Sequence, residues 1–353
     1  GLGVLVNYTA RNILLKSSRL LVTVDIAKQP RYRVQYQKQF GKDKSWWYRG
    51  ESLYEFLNQK VYVGGNESSD ELNINYYHFY NQINKNINHL NSYIGVGLNE
   101  INTNFKPSVD PDLQDNLDEL KSYSDRIVEL DIHYIHNSLN NVFFATKGTY
   151  FKSRISRTFN SKFSYESTDT AKLTIDDGSL NNIFKFRADY EKRIPTSKKN
   201  SIIFSAGASF IFEDEAKKNE FSFNEKGFGT KYMLGGFQST SKEYCIPFLG
   251  LYENEVYNLS QVVNFSFRSQ YNVMDKIYIT PHINYAAFGY GNHNDFFEDK
   301  LVPRSKLNTS EEVNKFVYTL GATASYNSIL GPVNFDVSYA NGANNLRLFF
   351  GVG

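Results

Sequence analysis

Apolar and polar residues alternate along most of this chain with a period of two, the spacing that sends successive side chains to opposite faces of a β-strand. Between residues 184 and 191, Phe184, Phe186, Ala188 and Tyr190 share one face, and Lys185, Arg187, Asp189 and Glu191 share the other. A strand here has a wholly apolar side and a wholly charged side, which suits lipid outside and water inside. The same alternation sets Ile277, Ile279, Ile283 and Tyr285 against Tyr278, Thr280, His282 and Asn284, and Val333, Phe335, Val337 and Tyr339 against Asn334, Asp336 and Ser338. Val263, Phe265 and Phe267 oppose Asn264, Ser266 and Arg268. Val128, Leu130, Ile132 and Tyr134 oppose Glu129, Asp131 and His133, and Tyr32, Val34 and Tyr36 oppose Arg33, Gln35 and Gln37.

A soluble sandwich shows such alternation too, but in about seven to nine short strands, whereas outer-membrane barrels use an even number of segments of about ten residues. Sixteen segments are legible, at 2–9, 18–28, 31–40, 46–57, 72–82, 91–103, 126–136, 147–159, 182–192, 200–212, 228–236, 261–271, 276–288, 315–326, 332–340 and 345–352. Short linkers such as Lys28–Gln29–Pro30 and Gly331–Pro332 alternate with long polar stretches at 107–124, 160–180, 213–226, 237–260 and 290–313, without a helical period. Short turns at one end and long loops at the other are the asymmetry of an outer-membrane barrel. Aromatics cluster at strand ends (Trp46, Trp47, Tyr48; Phe79, Tyr80; Phe143, Phe144; Phe349, Phe350), where a bilayer interface favours them. The predicted fold class is all-β. Residues 1–353 are expected to form a single domain, a 16-stranded antiparallel transmembrane β-barrel with long extracellular loops in a Gram-negative outer membrane.

Composition narrows the alternatives. Phe 28, Tyr 26 and Trp 2 make the chain 16% aromatic with an ordinary 22% of charged residues, which excludes a disordered chain. The balance of 39 Lys and Arg against 37 Asp and Glu leaves +2, far from the one-sided charge that binding to a phosphate backbone requires, so nucleic acid is not an expected partner. No run of 18 apolar residues occurs, which removes a transmembrane helix but not a barrel. The opening Gly1, with neither Met nor an apolar leader, reads as a mature or excised piece of something longer. Cys245 is the only cysteine, so no internal disulfide and no thiolate metal cluster is expected.

Three stretches, in order, resemble elements of the sixteen-stranded barrel domain of the Omp85 superfamily, also called bacterial surface antigen. Asn137–Tyr150 (NSLNNVFFATKGTY) resembles its N-x-x-D-N-P-x-x-P-T-x-G strand-to-turn element. Tyr232–Phe237 (YMLGGF) resembles the F-x-L-G-G approach to its sixth extracellular loop, and Leu330–Tyr339 (LGPVNFDVSY) resembles its penultimate strand. The opening strands Asn7–Leu15, Ser18–Ala27 and Gln29–Tyr36 (QPRYRVQY) are similar to those of patatin-type members. The resemblance implies an outer-membrane barrel that anchors or exports an upstream patatin-like phospholipase domain. The alternatives are an insertase or secretion translocator and a passive channel or surface-complex subunit. Implied partners are outer-membrane lipid, a fused upstream domain or a second copy, and the barrel assembly machinery during biogenesis.

One departure bears on function. Insertases and secretion transporters of the superfamily carry an Arg at the tip of the sixth loop that reaches an acid on strand 13. Here Leu249 stands where the Arg should be, and Tyr285–Gly289 (YAAFG) lacks the acid. A lock built on that pair cannot form, which favours an anchor or conduit. The loop-tip residues Pro247, Phe248, Gly250 and Tyr252 are expected to fold back into the lumen as a plug.

Catalytic chemistry is sparse. No Gly-x-Ser-x-Gly nucleophile elbow occurs, so this chain is not expected to be an enzyme, and a phospholipase would lie upstream of it. His133 and His136 are an odd number of residues apart and face opposite ways on a strand, which disfavours a metal site, and no cofactor motif is present. A catalytic pairing around Ser266 and His282 is not favoured. The charges expected inside the barrel are Arg33, Glu129, Asp131, Lys185, Arg187, Asp189, Glu191 and Arg268, read as a mutually paired polar interior.

Overall fold

The computed structural model describes residues 4–26, 30–63, 66–87, 91–108, 120–167, 175–212, 231–236, 244–291, 293–298, 305–307, 314–328, 331–342 and 346–352. The chain divides into two compact units: Gly1–Val61, Glu67–Tyr134 and Arg154–Phe184 form the first, and Tyr62–Asn66, Ile135–Ser153 and Lys185–Gly353 the second.

The strands that lie wholly or partly in the first unit are β1 (Val4–Arg11), β2 (Ser18–Ile26), β3 (Arg31–Phe40), β4 (Trp46–Val63), β5 (Asn66–Asn86), β6 (Ser92–Pro107), β7 (Leu120–Asn137), β8 (Gly148–Thr158), β9 (Lys162–Ser167) and β10 (Ile175–Ser179). β1 pairs antiparallel with β2, β2 with β3 and β3 with β4. β5 and β6 form a long hairpin in register from Leu72↔Pro107 to Asn86↔Tyr93. β9 pairs with the start of β7 (Arg126↔Lys162) and with β10, so the β9–β10 hairpin extends the sheet at the end where the long connections lie.

The second unit is built from β11 (Phe184–Pro195), β12 (Asn200–Phe212), β13 (Tyr232–Leu234), β14 (Cys245–Ile246), β15 (Val256–Leu259), β16 (Gln261–Met274), β17 (Ile277–Gly289), the short helix α1 (His293–Glu298), β18 (Ser305–Lys306), β19 (Lys315–Ser328), β20 (Gly331–Ala340) and β21 (Arg347–Val352). β12 pairs antiparallel with β16, β16 with β17, β17 with β19, β19 with β20 and β20 with β21. Among the described residues eighteen strands belong to one sheet, and β13, β14 and β15 form a separate three-stranded sheet.

Burial along these strands is inverted relative to a water-soluble protein. On β6, Ile94, Val96 and Leu98 are 43–50% exposed, while the alternate Asn99 and Thr103 are buried. On β20 the exposed positions are Phe335 and Tyr339, and the buried ones are Asn334, Asp336 and Ser338. Apolar side chains left outside and polar ones enclosed are stable only where the outer face meets hydrocarbon. No helix among the described residues is long and apolar enough to cross a membrane.

Three of the predicted segments differ from what is seen. Among its described residues, the segment at 228–236 is not a strand of the main sheet: of 231–236 only Tyr232–Leu234 is extended, and Gly235 and Gly236, both at positive φ, turn the chain so that β13 pairs with loop strands β14 and β15. The stretch 160–180, expected to be loop, contains the β9–β10 hairpin, whose two short strands give too brief an alternation to stand out. Within 290–313 lie α1 and β18, the latter parallel to β19. The predicted loops at 107–124, 213–226 and 237–260 fall wholly or partly outside the described residues, as does Phe237. The strands at 46–57 and 72–82 run on, as β4 and β5, to 18 and 21 residues.

Candidate functional site

The described parts of the connection between β12 and β16, residues 231–236 and 244–260, fold onto the polar face of the second unit. The loop's framework is its own backbone: Gly235 N–H donates to Ile246 O at 3.0 Å, Phe248 N–H to Gly236 O at 3.1 Å, and Gly236 N–H to Leu251 O at 3.1 Å. Tyr232, Leu234, Ile246, Phe248, Leu251 and Leu259 are buried. A loop built this way has a small core and can be held as one piece.

Four strands hold it. From β11, Arg187 Nη1 donates to Cys245 O at 3.2 Å, Phe186 O accepts from Tyr232 Oη at 3.1 Å, and Lys185 Nζ lies 4.3 Å from the Tyr244 ring centre. From β19, Thr319 Oγ1 donates to Leu249 O at 2.7 Å. Gly250 sits at φ +89, and a Cβ there would lie 2.8 Å from Thr319 and 3.2 Å from Ser338 on β20, so only glycine allows this approach. From β21, the Arg347 guanidinium donates to both oxygens of Glu255, at 2.6 and 2.9 Å, and to Gly250 O at 3.3 Å, and it stacks 4.9 Å from the Tyr252 ring, itself 5.3 Å from Phe349.

Glu255 and Arg347 are both buried, with side chains 1% and 5% exposed. The Tyr252 amide also donates to Glu255 Oε2 at 2.8 Å. Burial pushes the Glu255 carboxyl above the usual carboxylate range, and the Arg347 guanidinium and the Tyr252 amide pull it back only in part.

Of the loop-tip residues predicted from sequence, Phe248 and Gly250 are buried and Pro247 and Tyr252 are half-buried. The pair Glu255–Arg347 was not foreseen. It joins positions 92 residues apart in different elements. Two acids after the loop tip, Glu253 and Glu255, and an Arg opening β21 carry no local spacing that marks Glu255 and Arg347 as partners.

The eight predicted interior charges fall into local groups. In the first unit, Arg33 and Arg49 both bond Glu51, and Arg154 bridges Glu129 at 3.5 Å and Asp131 at 3.1 Å, while Asp131 also meets His133 Nδ1 at 2.7 Å. In the second, Arg187 pairs with Asp189 at 2.8 Å, and Glu191 lies between Arg193 at 2.6 Å and Arg268 at 2.7 Å. Lys185 faces the loop. Arg49, Glu51, Arg154 and Arg193 are the partners that sequence reasoning missed; Arg193 continues the polar phase of β11 two residues past Glu191, while Arg49, Glu51 and Arg154 sit on strands that alternate less cleanly.

The turn between β7 and β8 bears the N-S-L-N-N element. Asn140 Oδ1 accepts from the amides of Thr146 and Lys147 at 2.9 and 3.2 Å, and Gly148, at φ +119, leaves no room for a Cβ, which would lie 2.3 Å from Ser138 O. Arg193 then ties this turn to the wall through Ala145 O at 2.8 Å.

His282 Nε2 meets Asp336 Oδ1 at 2.8 Å, and its Nδ1 meets the Asn284 amide nitrogen at 2.9 Å. Ser266 Oγ donates to Asn284 Oδ1, not to the imidazole. Both ring nitrogens are thus engaged, and among the described residues no hydroxyl bonds the imidazole. His133 is held by Asp131 and Asn84, and His136 faces Ser138. Among the described residues no three metal-ligating side chains converge.

An antiparallel sheet that encloses its polar side chains and exposes its apolar ones, with a structured loop seated on the polar face, defines a bacterial outer-membrane β-barrel protein. The family profile of the OMP85 superfamily matches residues 2–353, and the chain belongs to that superfamily. Its structure is similar to BamA from Haemophilus ducreyi lacking POTRA domains 1–3, with a TM-score of 0.65 and 13% identity, covering 99% of this chain and 68% of that one. It is also similar to CdiB from Escherichia coli (TM-score 0.56, 8% identity, 99% of this chain and 59% of that one) and to CdiB from Acinetobacter baumannii (TM-score 0.54, 8% identity, 99% and 56%). The chain therefore spans little more than half to two thirds of these proteins, and at such identities the likeness is one of fold. No curated protein sequence matches it.

Proposed function

We propose that this chain is the barrel of an outer-membrane polypeptide translocator, inserting or secreting protein segments, with the β12–β16 loop as its internal plug. The single observation that carries this reading is the way the loop is held: a compact three-stranded piece, attached to β11, β19 and β21 by discrete polar contacts and a buried ion pair. A passive anchor gains nothing from a separately folded loop secured by single polar contacts that can be broken one at a time. The missing Arg at position 249 argues against one particular lock, not against a latched loop, because Glu255 and Arg347 supply a latch with the charges exchanged between loop and wall.

The other reading, a barrel that anchors or exports an upstream patatin-like phospholipase domain, rests on the likeness of the first three strands. The absence of a nucleophile elbow in this chain agrees with either.

Depletion of the protein in its native cell, followed by quantitative proteomics of outer membrane and culture medium and by lipid analysis, separates the two. Loss of particular polypeptides from either fraction, restored by the wild-type gene, supports translocation. An unchanged proteome with lost phospholipid hydrolysis supports the anchor.

A further inference from the structure

The outward face of the first unit carries a cavity of about 580 Å³ at the end where the long connections lie, lined by side chains of β4, β5, β6, β7 and β9. Its chemistry differs from the surface beneath it. Along the outward positions of β6, Ile94, Val96 and Leu98 give way to Glu100, Asn102 and Asn104. Along those of β7, Ile132 and Leu130 give way to Arg126 and Ser124. At about 3.3 Å per residue, Asn102 lies about 13 Å beyond Leu98 on the same strand face. In outer-membrane barrels the long connections are extracellular, which puts this change at the outer-leaflet headgroups.

The polar lining combines amides and cations with the hydroxyls of Thr103, Ser124 and Ser164 and one carboxylate, Asp125, which is buried on the inward phase of β7 and accepts from the Thr103 amide. Asn75, Asn102 and Asn104 present side-chain amides, able to donate to and accept from sugar hydroxyls, and Tyr77 adds an aromatic surface. Arg126 and Lys162 supply cations. Arg126 spends only Nε on Glu100, at 2.8 Å, which leaves its terminal nitrogens for a second anion, and Lys162 makes no ion pair among the described residues. Lys162 stands directly across from Arg126 in the β7–β9 pairing, so the two cations share one side of the cavity.

We propose that this cavity binds the phosphorylated sugar headgroup of an outer-leaflet glycolipid, with its acyl chains lying along the apolar strip of Ile94, Val96, Leu98, Leu130 and Ile132. The volume is that of a site for a sizeable ligand and exceeds what a phosphate needs. The adjacent cations match a phosphate, and the amides match the sugar that carries it. The apolar strip continuous with the cavity distinguishes an amphiphile from a free sugar phosphate.

Native mass spectrometry of the detergent-solubilised protein, titrated with hexa-acylated bisphosphorylated lipid A, tests this. The wild type retains lipid A. The variants Lys162→Gln and Arg126→Gln with Lys162→Gln retain it with affinity reduced about tenfold or more, the loss expected for a charge-assisted contact. Both positions face solvent, and retention of heat-modifiable migration certifies folding. Phosphatidylglycerol and inorganic phosphate bind more weakly than lipid A. Undiminished lipid A affinity in the folded double variant overturns the proposal, as does phosphatidylglycerol or inorganic phosphate binding as tightly as lipid A.

Discussion

Both terminal nitrogens of Arg347, at the start of β21, donate to the two carboxylate oxygens of Glu255 in the β12–β16 loop, at 2.6 and 2.9 Å, with almost no solvent reaching either side chain. A bidentate pair of this kind has well-defined geometry, but its net contribution is limited because both charges have left water. Removing one partner is another matter, because the remaining charge stays buried alone.

Arg347→Ala and Glu255→Ala each weaken docking of the loop by about 3–5 kcal/mol, the usual cost of breaking a buried pair. Hydrogen exchange of the described loop residues 244–259 reads this as lost protection. The exchanged pair, Glu255→Arg with Arg347→Glu, recovers a substantial part of it. Equal protection in the wild type and both single variants would show that the pair holds nothing.

The raised proton affinity of Glu255 sets a pH dependence. The docked loop binds a proton more readily than the released loop, whose carboxyl titrates near the ordinary value of 4.5. Docking is therefore strongest below that value and weakens as pH rises through the raised one. Arg347 faces the carboxylate from β21, and the Tyr252 amide faces it from the loop itself. Loop exchange measured from pH 4 to pH 8 rises with pH in the wild type, after correction for intrinsic rates, and is flat in Glu255→Gln. A corrected rate that falls with pH would reverse the assignment.

Gly250→Val displaces the loop, because a Cβ at φ +89 would stand 2.8 Å from Thr319. Gly291→Ala, with nothing within 4 Å of the added carbon, leaves the protein unchanged. Proteolytic nicking of the loop compares the two, and equal nicking would remove the argument from close approach.

Ile132 is 57% exposed on the outward phase of β7. Ile132→Lys costs about 2–4 kcal/mol in folding into lipid vesicles if the position lies near the bilayer midplane, as the apolar strip around it implies. A cost near zero would place this face outside the hydrocarbon.

How far the sequence could be read follows from where its signals are local. The alternation at 184–191 and 333–339 specifies both the strands and their faces, since one wall meets lipid and the other does not, and Lys185, Arg187, Asp336 and Ser338 lie on the polar phase as their positions demand. The stretch 237–260 was legible as a loop, but 228–236 was read as a strand of the wall, and the loop's small sheet stayed hidden because strands as short as Cys245–Ile246 carry no period. The hairpin of Lys162–Ser167 and Ile175–Ser179 was hidden because six and five residues give too brief an alternation to stand out. The latch was beyond reach because its partners share no spacing, and register alone brings β21 to the loop. Leu249 still leaves the lock expected from the resemblance without its Arg, and the buried pair of this loop is formed instead by Glu255 and Arg347.

The central claim is that the Glu255–Arg347 pair keeps a plug in a conduit, and conductance in planar bilayers tests it most directly. The account predicts a low wild-type conductance and a large increase for Arg347→Ala and for Phe248→Ala with Tyr252→Ala, with the exchanged charge pair returning toward the wild-type level. Identical conductance in the wild type, the latch variants and the exchanged pair, all folded, would contradict it.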